Sequence, residues 1–399
     1  MTKIVVISEY VYSGQNSTGY LWSKVIDKAG QCFSGISVIS PLPHEKDIEK
    51  RECANAEYLE FESKKFDKNN LAWRLLGQVR QCLGFLRYIF RYVKRGDVVL
   101  SGTNPALLLV LISITKNFLG FRWCLLVHDV FPENLVPAGV LRKSMLSYRL
   151  CSWIFNMIYA RADHIVVIGR DMEDIVKGKT GSDKNITVIQ NWVDDRGITP
   201  QDRSDSEILK SLGWTSRKVF QFFGNIGRVQ GIDNILAAIE LVRSPNAAFL
   251  FIGEGSASPT VREFVEGSAG GNVAYIGPIN QDRKSVGLAA CDVALITLGK
   301  GMLGLGVPSK AYFSMAADKP LLAVMEGGAE ISRMIHEDRI GWTCEPDDPA
   351  ALAALIDHIC QTDISCLNGR PRKVLQEKYS ESAALDKFLV CVKSVMDVK

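Results

Sequence analysis

No two cysteines of this chain stand in a Cys-x-x-Cys pair, and neither His-Glu-x-x-His, Gly-x-Ser-x-Gly nor an Asp-x-Asp triplet occurs in it. Metal-assisted hydrolysis and serine-nucleophile chemistry therefore have no support in the sequence, and no metal site is expected. The ten cysteines are scattered singly, several in apolar stretches such as that around Cys124, which reads as reduced, cytosolic packing. Charge of one sign is lacking too. With 47 basic against 44 acidic residues, any attraction to membrane or nucleic acid must come from local clustering. Long apolar runs are absent: the longest, residues 105–114, falls short of the ~20 residues that span a bilayer, and the N-terminal run is too short for a secretory leader. Low-complexity tracts and internal repeats are missing as well.

What is present is an ordinary globular composition, 47% hydrophobic and 23% charged, in 399 residues. At roughly 150 residues per domain, two nearly equal units are the simplest division. Short β-branched runs at 4–8, 36–39, 98–101, 124–127, 165–168 and 187–189 alternate with longer amphipathic segments. The rhythm restarts after the polar stretch 194–207, with runs at 219–223, 249–252, 273–276, 293–297 and 321–324. Alternation of this kind predicts two doubly wound parallel α/β halves, with ligands at the carboxyl ends of the strands in a crevice between the domains. The boundaries read as 1–195, 196–375 and a C-terminal helix, 376–399, packing back toward the first domain.

Between Asn70 and Arg95 there are six basic residues and no acidic one. At 100° per residue Arg80, Arg87, Arg91, Lys94 and Arg95 share an arc of about 100°. Leu71, Leu75, Val79, Cys82, Leu86, Ile89 and Val93 fill another. Two readings stand: a solvated basic face, or a helix resting on an anionic leaflet beside Trp73, Phe85, Tyr88 and Tyr92. Nucleic acid fits less well, because no second basic tract or binding motif accompanies the first.

The strand at 219–223 runs into Gly224-Asn225-Ile226-Gly227-Arg228-Val229-Gln230-Gly231 and then into a helical pattern. Its glycines let the backbone approach a ligand, and the following helix N-terminus favours an anion. A second glycine-rich turn, residues 299–310, ends in Gly306-Val307-Pro308-Ser309-Lys310. Together the turns can offer backbone amides, two helix N-termini, the Arg228 guanidinium and the Lys310 ammonium to one diphosphate. Alternatively both cations are solvated surface charges.

These two turns, with Val-His-Asp-Val-Phe-Pro-Glu at 127–133, Ala-Asp-His-Ile-Val-Val at 162–167, Val-Ile-Gln-Asn-Trp-Val-Asp at 188–194 and Met-Ala-Ala-Asp-Lys-Pro at 315–320, resemble glycosyltransferase family 4. The match runs in order over nearly the whole chain and looks most like the bacterial branch that builds O-antigen, capsule and exopolysaccharide. The resemblance implies a GT-B fold of two Rossmann-like domains facing a cleft, a nucleotide-sugar donor held by the second domain, an acceptor held by the first, retaining chemistry and no cofactor. It places Gly224, Gly227 and Arg228 in the diphosphate turn, and Leu305, Gly306, Val307, Ser309 and Lys310 at the phosphates and donor sugar. Gly14 falls in the loop that approaches the diphosphate from the other domain. His128 and Asp129 line the sugar and acceptor, and Asp129 and Glu133 orient the acceptor hydroxyl or cap a helix.

Two departures stand out. Many members carry Arg and Lys where this chain has Asn225 and Gln230, and their two glutamates, separated by seven residues, fall here on Leu305 and Phe313. Glu330 either binds ribose in compensation or only favours its helix dipole. The function implied is transfer of a sugar from an NDP-sugar, UDP-linked by preference, to a polyprenyl-diphosphate-linked or growing glycan acceptor. The site of action is the cytoplasmic face of the inner membrane, on its anionic surface. A nucleotide-sugar epimerase using His128, Asp129 and Glu254, or a non-catalytic assembly scaffold, are the rival readings.

Overall fold

The structure, a computed structural model, describes residues 2–43, 53–63, 71–182, 185–268, 270–280 and 283–397, and within these the side chains of all but residues 71–76. Two compact units divide it. The first comprises the described residues of Met1–Asn134, Leu141–Gln190 and Ser382–Lys399, and the second Leu135–Val140 and Asn191–Glu381.

In the first unit the elements run β1 (Ile4–Ile7), α1 (Ser17–Cys32), β2 (Ile36–Pro41), β3 (Ala56–Phe61), α2 (Leu71–Tyr92), β4 (Val98–Ser101), α3 (Ala106–Leu119), β5 (Arg122–Val127), α4 (Leu146–Ala160), β6 (His164–Val167), α5 (Arg170–Thr180) and β7 (Ile186–Val188). The strands form one parallel sheet in the order β3-β2-β1-β4-β5-β6-β7. Apart from Arg122 at the start of β5, strands β1, β4 and β5 are buried, because helices cover both faces of such a sheet, so they read as apolar runs.

The second unit continues with α6 (Glu207–Leu212), β8 (Lys218–Phe223), α7 (Ile232–Leu241), β9 (Ala247–Ile252), α8 (Ser258–Gly267), β10 (Val273–Tyr275), α9 (Lys284–Ala289), β11 (Val293–Thr297), α10 (Lys310–Ala316), β12 (Leu321–Val324), α11 (Glu330–Asp338), β13 (Gly341–Cys344), α12 (Pro349–Gln361) and α13 (Arg370–Lys378). Its six parallel strands lie in the order β10-β9-β8-β11-β12-β13. Stacked rings on neighbouring strands, Phe220 on Phe249 and Phe222 on Phe251, fill the core under α7. The polar stretch 194–207 is fastened to this unit: Arg372 donates to the carbonyls of Asp195 and Ile198, and Gln376 to the Asp195 carboxylate.

The last helix, α14 (Glu381–Asp397), buries Leu385, Phe388, Leu389, Val392 and Val395. It is tied to the first unit by Arg122 donating to the Val395 and Met396 carbonyls and by a 2.8 Å ion pair between Lys28 and Asp386.

Two strands, β3 and β13, escape the apolar-run pattern because each is a sheet edge. Half-exposed, they need no continuous apolar side: β3 carries Glu57 and Glu60, and β13 opens on Gly341. The basic helix also needs correction. Arg80, Arg87, Arg91, Lys94 and Arg95 are exposed, but Phe85 is fully buried, edge-on to Phe61, and the Tyr88 hydroxyl donates to the Glu60 carbonyl. These two rings serve the core rather than a surface. Asn70 and the side chains of Leu71, Trp73 and Leu75 lie outside the described residues.

Candidate functional site

Strand order reverses between β8 and β11 in the second sheet, because the chain runs outward from β8 in one direction and from β11 in the other. The loops leaving such a pair diverge to opposite faces and open a crevice at the carboxyl edge. Both glycine turns leave from these two strands. They meet directly: the Gly299 amide donates to the Val229 carbonyl at 2.8 Å. Gly231 has φ +63°, in the left-handed region that favours glycine, and a Cβ there would stand in ordinary contact, 3.4 Å from the Gly299 Cα. Gly224 packs on Gly253, where a Cβ would lie 1.8 Å from the Gly224 carbonyl oxygen.

The cations of this edge differ in kind. Arg228, in a single 3-10 turn before α7, is exposed and pairs with no carboxylate among the described residues. Lys310 opens α10 with its ammonium over the Phe222 ring, 3.6 Å from the centroid, donating to Gln230 Oε1. Burial pushes its pKa well below the usual lysine value. Gln230 thus holds Lys310. Asn225 is exposed beside Gly227, and Ile226 is buried beneath the turn.

Lys284, which sequence reasoning passed over, lies 3.1 Å above the Phe313 ring, and burial lowers it to about 7. Phe313 and Lys310 are one turn apart on α10. Nothing in the sequence pattern linked Lys284 to α10, since it reaches Phe313 from α9.

The second turn offers fewer amides than its glycines suggest. Glu326 Oε2 accepts from the Gly301 and Leu303 amides at 3.0 and 3.1 Å, closing that part of the loop on itself. Leu305 is buried, and the Val307 carbonyl accepts from Asn191 Nδ2. Gly306 and Ser309 are half-buried, and Ser309 makes no side-chain cap to α10. α10, at seven residues, adds little dipole, whereas the ten-residue α7 begins behind Gly231 without a side-chain cap. Glu330 is buried in the first turn of α11. Glu254 is gripped by Arg262 at 2.8 Å and by the Tyr275 hydroxyl at 2.8 Å; the Tyr275 bond leads in holding its carboxyl below the usual range. This ion cluster leaves it ill placed as a proton donor.

The first sheet reverses between β1 and β4. After β1, Gln15 Oε1 accepts from the Val11 and Tyr12 amides, both at 2.9 Å, shaping the loop that exposes Gly14. After β4, Thr103 Oγ1 accepts from the His128 and Asp129 amides at 3.2 and 3.1 Å, and Asn104 Nδ2 donates to Asp129 Oδ2 at 3.2 Å. Thr103 and Asn104 therefore set the backbone and carboxylate of the His-Asp pair, although no motif marks them.

Burial holds His128 down to about 4, so its ring is neutral at physiological pH, and neither ring nitrogen has a hydrogen-bond partner among the described residues. Burial raises Asp129, with the Asn104 bond opposing. Glu133, expected to orient the acceptor hydroxyl or cap a helix, opens a 3-10 turn and is engaged by a lysine. It accepts from Lys179 Nζ at 2.6 and 2.8 Å, and this lysine is itself buried against the Tyr159 ring, so Glu133 neutralises a core cation.

Two family profiles match the chain: Glycosyltransferase Family 4 over residues 41–196, and Glycosyl transferases group 1 over residues 217–362. A Pseudomonas aeruginosa protein named probable glycosyltransferase WbjE is 50% identical over 402 aligned positions, covering 99% of each chain. Among solved structures, sucrose-phosphate synthase from Thermosynechococcus elongatus superposes with a TM-score of 0.74 at 14% identity, covering 98% of this chain and 99% of its own. Anabaena HepE, solved with UDP and glucose, gives a TM-score of 0.71 at 14% identity, covering 99% and 100%.

Proposed function

Because the chain belongs to glycosyltransferase family 4 and is a glycosyltransferase of the GT-B fold, we propose that it moves a sugar from a UDP-linked donor to a polyprenyl-diphosphate-linked or growing glycan acceptor, with retention of configuration. The observation that supports this reading best is the meeting of the two glycine turns at the reversal point of the second sheet, beside two cations that have no carboxylate partner among the described residues. A diphosphate would supply negative charge for Arg228 and Lys310, and acceptors for the leading amides of α7. UDP in the HepE crystals agrees with the choice of nucleotide.

As the glycosidic bond breaks, negative charge grows on the departing diphosphate, so donors aimed at it stabilise the transition state more than the ground state. Arg228 and Lys310 do this without a divalent ion. On the first unit, neutral His128 offers a hydrogen bond to a sugar hydroxyl, and Asp129, set by Thr103 and Asn104, positions the acceptor. Retention places the attacking hydroxyl on the face the diphosphate leaves, with a phosphate oxygen taking its proton. An epimerase would need Glu254 as a proton carrier, which its Arg262 and Tyr275 bonds disfavour.

The test is UDP release from a panel of UDP-sugars in chelator, with and without a polyprenyl-diphosphate-linked sugar, followed by NMR of the product anomer. Acceptor-dependent release with retained configuration is expected. Release that needs a divalent ion, or an inverted product, contradicts the proposal.

A further inference from the structure

Gly102 follows β4 at the reversal point of the first sheet and is buried, as are Ser101 and Thr103 beside it. A Cβ there would stand 3.2 Å from Trp22 Nε1 and 3.5 Å from His128 Nδ1, so an indole from α1 and an imidazole from the end of β5 close over one glycine. The Gly102 backbone lies outside the left-handed region, so what a side chain would disturb is the rings. Trp22 is fully buried. Its Nε1, like both ring nitrogens of His128, is shielded from solvent and has no hydrogen-bond partner among the described residues. Most buried polar atoms are paired, so three orphans around a single glycine call for a reason.

The indole is delivered there by a fixed helix start. Asn16 Oδ1 accepts from the Gly19 amide at 2.9 Å, and a Cβ on Gly19 would lie 2.3 Å from the Tyr12 carbonyl oxygen, so α1 sits tightly on its loop one turn before Trp22. The hydroxyls on either side of Gly102 are engaged elsewhere: Ser101 Oγ accepts from Trp123 Nε1 at 2.9 Å, and Thr103 Oγ1 from the His128 and Asp129 amides. His128 is neutral, lowered by burial to about 4, so one ring nitrogen carries a proton and the other a lone pair. An indole N–H only donates. Beside Nδ1 it suits a lone pair and opposes a second N–H.

We propose that Trp22 is a positioning residue for His128: its Nε1–H donates to Nδ1, directly or through one water, and so fixes the tautomer in which Nε2 carries the proton. Gly102 lets the rings meet, since a Cβ would press on Nε1. The proton then sits on the nitrogen free to donate to a substrate oxygen, while Thr103 holds the His128 backbone. This deepens the reading of His128 as a hydrogen-bond donor to a sugar hydroxyl. It rests on that reading for its effect on turnover alone, because the tautomer is measured on the free protein.

The experiment is proton–nitrogen NMR of the full chain, labelled with the heavy nitrogen isotope at histidine and tryptophan, at neutral pH without ligand. His128 signals are assigned by their loss in His128→Asn and the Trp22 indole by its loss in Trp22→Phe. Wild type is expected to hold His128 as the Nε2–H tautomer, with Nδ1 shifted by an accepted hydrogen bond and the Trp22 indole proton protected from exchange. Trp22→Phe and Gly102→Ala should both return Nδ1 toward its unbonded position and populate the second tautomer. Both should lower kcat/KM for the UDP-sugar about tenfold while UDP affinity holds. A His128 proton on Nδ1 in wild type, or ring signals unmoved by both substitutions, overturns the proposal. Should Trp22→Phe fail to fold, the wild-type tautomer and Gly102→Ala still decide it. Ring signals that respond as expected without a change in turnover would uphold the Trp22 bond and strike the placing of His128 at the sugar.

Discussion

Replacing Lys310 by methionine should separate binding from folding. Its ammonium is surrounded by the Phe222 ring and one amide oxygen, and burial depresses its pKa, so the folded free enzyme gains little from the charge. Depressed in the folded state, such a lysine weighs against folding at neutral pH, and that penalty is relieved as pH rises toward its ordinary value. Methionine keeps the packed stem without the charge, and Gln230, half-buried, can turn its amide to solvent. Stability should therefore hold or rise by about 1 kcal/mol, a Tm gain of roughly 2–4 °C for a unit of this size. Toward a diphosphate the same charge contributes hydrogen bonds worth about 1.5–3 kcal/mol, so UDP affinity should fall roughly 10- to 100-fold. Thermal unfolding and calorimetric UDP titration of Lys310→Met together read both signs. A lower Tm with unchanged UDP affinity would show that the lysine supports the fold and not the ligand.

Arg228→Ala, at an exposed residue, should leave Tm unchanged and lower turnover on the order of 10²–10³-fold, measured as UDP release. Affinity for UDP-glucose, whose diphosphate does not titrate near neutrality, should decline as pH rises above about 7, because the bound anion favours protonated Lys284; Lys284→Met should flatten that slope in calorimetry across pH. His128, lowered to about 4, should give no limb near 6.5 in the pH profile of kcat. Glu133→Gln should cost about 3 kcal/mol in denaturant unfolding by stranding Lys179, and Lys179→Met added to it should restore part of the loss.

Central strands were legible because burial on both faces leaves them uninterrupted apolar runs, and the glycine turns because the positive φ of Gly224, Gly231, Gly301 and Gly304 favours glycine. Edge strands β3 and β13 were not, since half-exposed backbone tolerates Glu57, Glu60 and Gly341. At the site, Arg228 and Lys310 stood out through their motifs. Lys284 meets Phe313, and Thr103 and Asn104 meet the His128–Asp129 pair, from other elements, across folds of the chain that spacing cannot express. Glu133 shows the reverse: its motif suggested chemistry, while Lys179, 46 positions away, claims it for the core.

The central claim is that the turns at 224–231 and 299–310 grip a diphosphate through Arg228 and Lys310 without a divalent ion. A crystal structure of the chain with UDP, grown in chelator, addresses it most directly. The account predicts diphosphate oxygens within hydrogen-bond reach of Arg228, Lys310 Nζ and the first amides of α7. Nucleotide bound away from both turns, or bound only when a metal ion is restored, would contradict it.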